Sequence, residues 1–302
     1  MKKDLVSIGD LSAQEITELF DISARIKGKQ MDIASGKTLV LVFEKPSLRT
    51  RVTFTVAFSQ LGGQVLYLAP ADIGLGKRET VPDIARNLSR WIDAVSARTF
   101  AHKTVQELAE YASVPVVNAL TDAEHPCQAL ADFLTIHEHL GKTEGIKIAY
   151  FGDGNNVAHS LMLTAAKLGS HMVIAGPEGY GPKQEFVEAA RAEATKTGAS
   201  LTITHDPHEA AKDADVIYTD VWASMGQEDE AAQRKPLFAP FQVNANLLKH
   251  AKPNVLVEHC LPAHRGDEIT SEVLDGANSV VLDEAENRLH IQKAILYKLL
   301  SN

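Results

Sequence analysis

Residues 43–51 read F-E-K-P-S-L-R-T-R. Between Ser47 and Arg51 the stretch sets two hydroxyls and two guanidinium groups within five residues, a donor set that suits a phosphate better than a lone carboxylate would require. The flanking chain dictates where those groups stand. Residues 39–43 are an apolar, β-rich run of the kind a parallel strand needs when both its faces are covered. Pro46 breaks the strand, and Ser47 occupies the place of a helix N-cap. Val52, Phe54, Val56, Ala57, Phe58 and Leu61 follow at spacings that give a helix an apolar face, and Gly62-Gly63 end it. Ser47, Arg49, Thr50 and Arg51 therefore lie at a strand-to-helix turn, where free backbone N–H groups and the positive end of the helix dipole make an anion site. Taken alone, the pattern also reads as an ordinary capped helix with solvated arginines.

Other polar residues fall at comparable places. Arg98 follows a strand-like run at 94–97, H-P-C-Q at 125–128 opens a helix, and Asn155-Asn156 follow a run at 146–151. D-V-W-A-S-M-G at 220–226 and H-C-L-P at 259–262 each follow another such run, and Arg288 lies just inside the last helix. Each has a plain structural reading: Arg98 as a solvated loop cation, His125 as a cap, Asp220 as a turn residue, Cys260 as a small buried hydrophobe. Their shared position at strand ends is what points to function.

The elements that must hold them alternate strand and helix. Helical spacing at 12–29 precedes the first strand. A second strand at 64–68 leads to a loop at 69–80, followed by helix 81–91, strand 94–97, helix 104–111 and strand 114–117. A long helix at 125–139 reaches Gly141, and residues 142–145 read as a hinge. The second half repeats the alternation, with strands at 146–151, 172–175, 201–204, 216–219, 255–258 and 280–282. Its helices are at 157–168 and 182–197, with a final helix at 285–300. The expectation is an α/β protein of two doubly wound parallel-sheet domains, 1–141 and 142–302, with the last helix packing back on the first. Ligands are expected at the carboxyl ends of strands, in a cleft between the domains.

Composition narrows the classes. At 302 residues two domains are expected, and 45% hydrophobic content is ample for a core in each. A net charge of −9 argues against a general nucleic-acid binder, so a phosphate must be held by a local basic pocket. The two cysteines, Cys127 and Cys260, have no metal-binding or disulfide-framework spacing. The first residues lack a signal-peptide core, and no apolar run approaches membrane-spanning length. A cytoplasmic protein with neither membrane nor nucleic-acid partner is expected.

At this point the chain resembles the carbamoyltransferases. The resemblance rests on F-E-K-P-S-L-R-T-R, L-G-G at 61–63, H-P-C-Q-A-L-A-D at 125–132, D-V-W-A-S-M-G-Q-E at 220–228, H-C-L-P-A-H-R-G at 259–266 and D-E-A-E-N-R at 283–288. The S-M-G loop marks the ornithine branch over the aspartate and putrescine branches. The resemblance implies attack of a neutral amine on carbamoyl phosphate. It assigns the phosphate to Ser47, Arg49, Thr50 and the backbone of Leu48, with Arg288 a further cation. Thr50, Arg98 and His125 would donate to the carbonyl oxygen as charge develops there. Gln128 and the carbonyls of Cys260 and Leu261 would accept from the carbamoyl NH2. On the ornithine side, Asp220 suits the α-ammonium, and Asn156 with Ser224 and Met225 the α-carboxylate, while Cys260 stands beside the reacting amine. No metal or organic cofactor is implied, since phosphate is already a good leaving group. The family also implies a homotrimer, or a multiple of one. An unperturbed thiol near pH 8.5 would make Cys260 the first suspect for a titrating enzyme group.

Two departures stand out. Leu48 replaces the family's usual threonine, losing one hydroxyl. Gly74 stands where many relatives carry a side chain that reaches a neighbouring subunit's phosphate, a role Lys77 or Arg78 would have to fill. The rivals are a carbamoyltransferase for another amine, or a dinucleotide-binding dehydrogenase suggested by G-D-G-N-N-V at 152–157. The latter lacks the third glycine of its fingerprint. A non-catalytic binding protein would not need Arg98, His125 and Cys260 together.

Overall fold

The computed structural model describes residues 1–76, 78–223 and 228–301. Ser224, Met225 and Lys77 lie outside the described residues. The chain divides into two compact units: Met1–Ala131 together with the chain from Glu286 onward, and Asp132–Ala285.

The first unit holds four parallel strands: β1 (Thr38–Phe43), β2 (Gln64–Leu68), β3 (Ala94–Arg98) and β4 (Val116–Leu120), in the order β2-β1-β3-β4. Residues 39–43 are fully buried, as a central parallel strand between two helical layers requires. The helix Leu48–Gln60 buries Thr50, Phe54, Ala57 and Phe58. At its far end Gly63 passes so close to the Phe58 ring that an added Cβ would sit 2.2 Å from it, which explains L-G-G. Because β2 and β3 flank β1 on opposite sides, the strand order switches between β1 and β3. In open α/β sheets that is where ligands bind, and Ser47–Thr50 and Arg98 stand there.

The second unit holds β5 (Lys147–Phe151), β6 (His171–Ala175), β7 (Leu201–Thr204), β8 (Val216–Thr219) and β9 (Leu256–His259), all parallel, in the order β7-β6-β5-β8-β9. Its switch point lies between β5 and β8, with Asn155 and Asp220 following the two strands. Among the described residues no helix is long and apolar enough to cross a membrane.

One expectation needs correction. Residues 280–282 do not form a strand: Ser279 makes a single bridge to Val257, and the helix Val281–Leu300 begins at once. Asp283 and Glu284 in its first turn complement the helix dipole, outweighing a three-residue apolar run. The compact units part within the helix Pro126–Leu140, and again within Val281–Leu300. From Glu286 onward the last helix counts with the first unit. Its fully buried Lys293 donates there to the carbonyls of Ile26 (3.0 Å) and Lys29 and to Gln60 Oε1 (3.0 Å). The Ile26 carbonyl ends the helix Ala13–Ile26 and Lys29 follows in the turn beyond it, so a buried ammonium closes that end of the helix.

Candidate active site

In the first unit, Ser47 has extended backbone and makes no side-chain cap bond to the helix it precedes. Its hydroxyl and the first-turn N–H groups are left for an anion. Thr50 is buried and accepts from Arg288 Nη2 at 3.2 Å, and Arg288 Nη1 donates to Gln128 Oε1. Three elements far apart in sequence thus meet through one guanidinium. Arg98 ends β3, where its carbonyl accepts from Glu44 N at 2.8 Å. Glu44 Oε2 in turn accepts from Phe100 N at 2.8 Å. Glu44, which sequence reasoning passed over, therefore ties the two sides of the switch point together.

His125 is buried just before the helix Pro126–Leu140. Burial first, then the charges of Arg288 and Arg98, hold its pKa well below the usual imidazole range. The ring is neutral at physiological pH and still carries one N–H to donate. Cys127 is a structural neighbour: its thiol donates to Asn118 O at 3.5 Å, and burial pushes it up to about 12. Arg51 is also set apart from the anion, its guanidinium lying 3.8 Å from the centre of the Tyr67 ring. Leu48 is exposed, leaving only its backbone at the turn. In the loop beyond β2, Gly74 is left-handed, with φ +53°, and accepts through its carbonyl from the N–H of exposed Arg78.

In the second unit, Asn155 caps the helix Asn156–Lys167 through its side-chain oxygen and donates from Nδ2 to Asp220 Oδ2 at 2.8 Å. Asp220 is buried, and its other oxygen accepts from Val221 N (2.8 Å) and the Cys260 thiol (3.0 Å). Sequence reasoning chose Asn156, whose side chain accepts locally from Val157 N at 3.0 Å. The G-D-G-N-N context could have shown that the cap residue, Asn155, is the one held toward Asp220. Burial, and then the Asp220 charge, push the Cys260 thiol well above its ordinary range. This corrects the expectation that Cys260 titrates near its free value: a thiol that donates to a neighbouring carboxylate holds its proton.

The turn after β9 is unusual. Leu261 adopts φ +54°, a left-handed conformation that a branched residue adopts only under constraint, and the Leu261–Pro262 peptide is cis. His259 supplies the constraint. Its Nδ1 accepts from Leu261 N at 2.9 Å, so Nε2 carries the proton and donates to Glu268 Oε1 at 3.1 Å. Asp220, His259 and Cys260 each offer one donor atom within 4.8 Å of the others, but the hydrogen bonds above already engage all three. Arg234, also unanticipated, is buried and donates to Asp153 Oδ2 (2.8 Å) and Trp222 O (3.0 Å). It fixes the chain after Asp220 against the turn that carries Asn155.

Residues 3–138 match the family model described as the aspartate/ornithine carbamoyltransferase carbamoyl-P binding domain, and residues 144–299 match its Asp/Orn binding domain. The chain belongs to the aspartate/ornithine carbamoyltransferase family. It is 54% identical over 303 residues to the ornithine carbamoyltransferase of Pyrococcus abyssi, covering 99% of this chain and 96% of that one. It is 50% identical to the catabolic ornithine carbamoyltransferase of Thermoplasma acidophilum, covering 99% of both. The solved ornithine carbamoyltransferase of Pyrococcus furiosus superposes with a TM-score of 0.95 at 54% identity, covering 97% of this chain and 95% of that one. In the G-D-G turn a Cβ at Gly154 would fall 2.1 Å from Pro182 N, so close backbone packing requires that glycine. The family match over both halves of the chain removes the dehydrogenase reading.

Proposed function

We infer that this protein transfers the carbamoyl group of carbamoyl phosphate to the δ-amine of L-ornithine, giving L-citrulline and phosphate within arginine metabolism. The observation that carries the reading is the meeting of Thr50, Gln128 and Arg288 beside a neutral His125. It offers hydroxyl, amide, cation and uncharged N–H to a molecule that presents phosphate, amide and carbonyl together. Ser47, Arg49, Thr50, Arg288 and the Leu48 backbone take the phosphate. Arg98, His125 and Thr50 donate to the carbonyl oxygen as it gains charge. Gln128 and the Cys260 and Leu261 carbonyls accept from the NH2 group. Buried Asp220, held by Asn155, receives the α-ammonium of ornithine, and Asn156 with Ser224 and Met225 takes its α-carboxylate. The C–N bond forms as the tetrahedral adduct builds, the C–O bond to phosphate breaks, and the amine's proton ends on the released phosphate.

The test is citrulline formation from ornithine against carbamoylation of putrescine, which lacks the α-carboxylate. An unpaired polar site rejects such an analogue strongly, so kcat/KM should favour ornithine by about 10⁴-fold. Equal turnover of the two amines would move the protein to another branch.

The working form we propose is a trimer or a multiple of it, in the cytoplasm, where two unpaired thiols are at home. Leu48, Val52 and Val56 are 76%, 49% and 36% exposed at i, i+4 and i+8 along one face of the helix Leu48–Gln60. Such a stripe marks a protein contact, here beside the phosphate residues. Val52→Glu should convert a trimer to single chains by light scattering and lower activity with it. A fully active single chain would remove the assembly from the proposal.

A further inference from the structure

His259 and Glu268 are both fully buried, at the two ends of the stretch H-C-L-P-A-H-R-G-D-E. The chain between them turns back at Gly266, where φ is +90° and the N–H donates to Ile269 O at 2.8 Å. Glu268 is anchored away from the 259–262 turn. Its carbonyl accepts from Val243 N at 2.8 Å, and Ile269 beside it shares a hydrophobic core with Val243. Gln242 Nε2 holds the same stretch through the carbonyls of Gly266 (3.0 Å) and Asp267 (2.9 Å). The partners of the His259 ring decide where its proton sits. Leu261 N can only donate, so Nδ1 accepts, and Nε2 carries the proton it gives to Glu268 Oε1 at 3.1 Å. Without that acceptor a fully buried Nε2–H goes unpaired, a cost the ring escapes by turning or by moving its proton to Nδ1. Leu261 N then loses its own acceptor.

The bond from Leu261 N fixes more than one atom. The Leu261 N–H and the Cys260 C=O belong to one planar trans peptide, so they point in opposite directions. Holding the N–H on His259 Nδ1 therefore aims the Cys260 carbonyl. It also holds Leu261 at φ +54°, which a branched residue keeps only under constraint. We propose that Glu268 is a positioning residue for the carbamoyl group: accepting from His259 Nε2, it keeps Nδ1 open for the Leu261 N–H and so aims the Cys260 carbonyl at the carbamoyl NH2. The proposal rests on the assignment of the Cys260 and Leu261 carbonyls to that NH2. Glu268 acts through His259 and touches no substrate.

The first test is nitrogen NMR of isotope-labelled histidine rings in the native protein without substrates. His259 Nδ1 should be unprotonated and should couple through its hydrogen bond to Leu261 N, which also locates the signal. A proton on Nδ1 overturns the proposal. The second test is calorimetry with carbamoyl phosphate and with inorganic phosphate, which lacks the NH2, on the native protein, Glu268→Gln and Glu268→Leu. The amide keeps an oxygen acceptor, so Glu268→Gln should hold carbamoyl phosphate within about threefold of native. Glu268→Leu should weaken it about tenfold, as a lost hydrogen bond does, and leave inorganic phosphate within about twofold. A folded leucine variant that binds both as tightly as native, or loses both alike, overturns the proposal. If that variant fails to fold, His259→Phe carries the same comparison, since it removes Nδ1 and keeps Glu268. The ring is read without substrates, so a proton on Nδ1 in a protein that makes citrulline sinks this inference alone. The expected ring state and selective loss, in a protein that binds carbamoyl phosphate but makes no citrulline, sink only the ornithine reading.

Discussion

Between about pH 6.5 and 8.5, kcat/KM for ornithine should rise close to a hundredfold without levelling. The δ-amine resembles a lysine, with a pKa of about 10.4, so the neutral nucleophile grows about tenfold with each pH unit. Neither candidate enzyme group interrupts that slope. His125 is held below the range by burial and by the Arg288 and Arg98 cations, so it is already neutral throughout. Cys260 is held above its ordinary value by burial and by the Asp220 carboxylate to which it donates, so it stays a thiol. The measurement is the profile at saturating carbamoyl phosphate for the native protein and Cys260→Ser, which should run parallel. A plateau inside this range that moves in Cys260→Ser would restore the cysteine as the titrating group. A flat native profile would show that the cation binds and is deprotonated internally.

Arg98→Met should lower kcat by about 10²–10³ while changing the KM for carbamoyl phosphate far less. Removing one preorganised donor from a developing oxyanion has that order of effect, and the loss falls on the transition state because charge at the carbonyl oxygen grows only there. The substitution should spare the fold, since Arg98 ends its strand and meets its ladder partner Phe43 through backbone. Steady-state kinetics with a circular-dichroism check of folding decides it. A folded variant with kcat within tenfold of native would remove Arg98 from the oxyanion role.

Both sheets were legible because their strands are short apolar runs between glycine, proline and cap residues, a pattern set by local chemistry. The positions of Ser47, Arg98 and Asp220 at or just after strand ends were legible as well, because strand ends at a switch point follow from topology. What stayed hidden depends on contacts across long stretches of chain. Nothing near Glu44 announces Phe100 N, and nothing near Lys293 announces the Ile26 carbonyl it caps. The 280–282 run failed for a related reason. Its apolar residues satisfy a strand pattern, but only one bridge to Val257 awaits them, and the acids that follow favour a helix.

The route by which Arg288 reaches its partners bears on how the protein is made. It lies 238 residues after Thr50 and 160 after Gln128. At roughly 5–20 residues per second of synthesis, Thr50 waits on the order of 10–50 s for the guanidinium it will accept from. Lys293, which caps the carbonyls of Ile26 and Lys29, comes later still. The first sheet is thus translated early, yet its compact unit cannot close until the whole of the second has left the ribosome. A chain released before residue 288 would carry every strand of both sheets and still lack the guanidinium that joins Thr50 to Gln128. For this protein the order of synthesis is not the order of completion, and a nascent chain stays inert almost to its last helical turns.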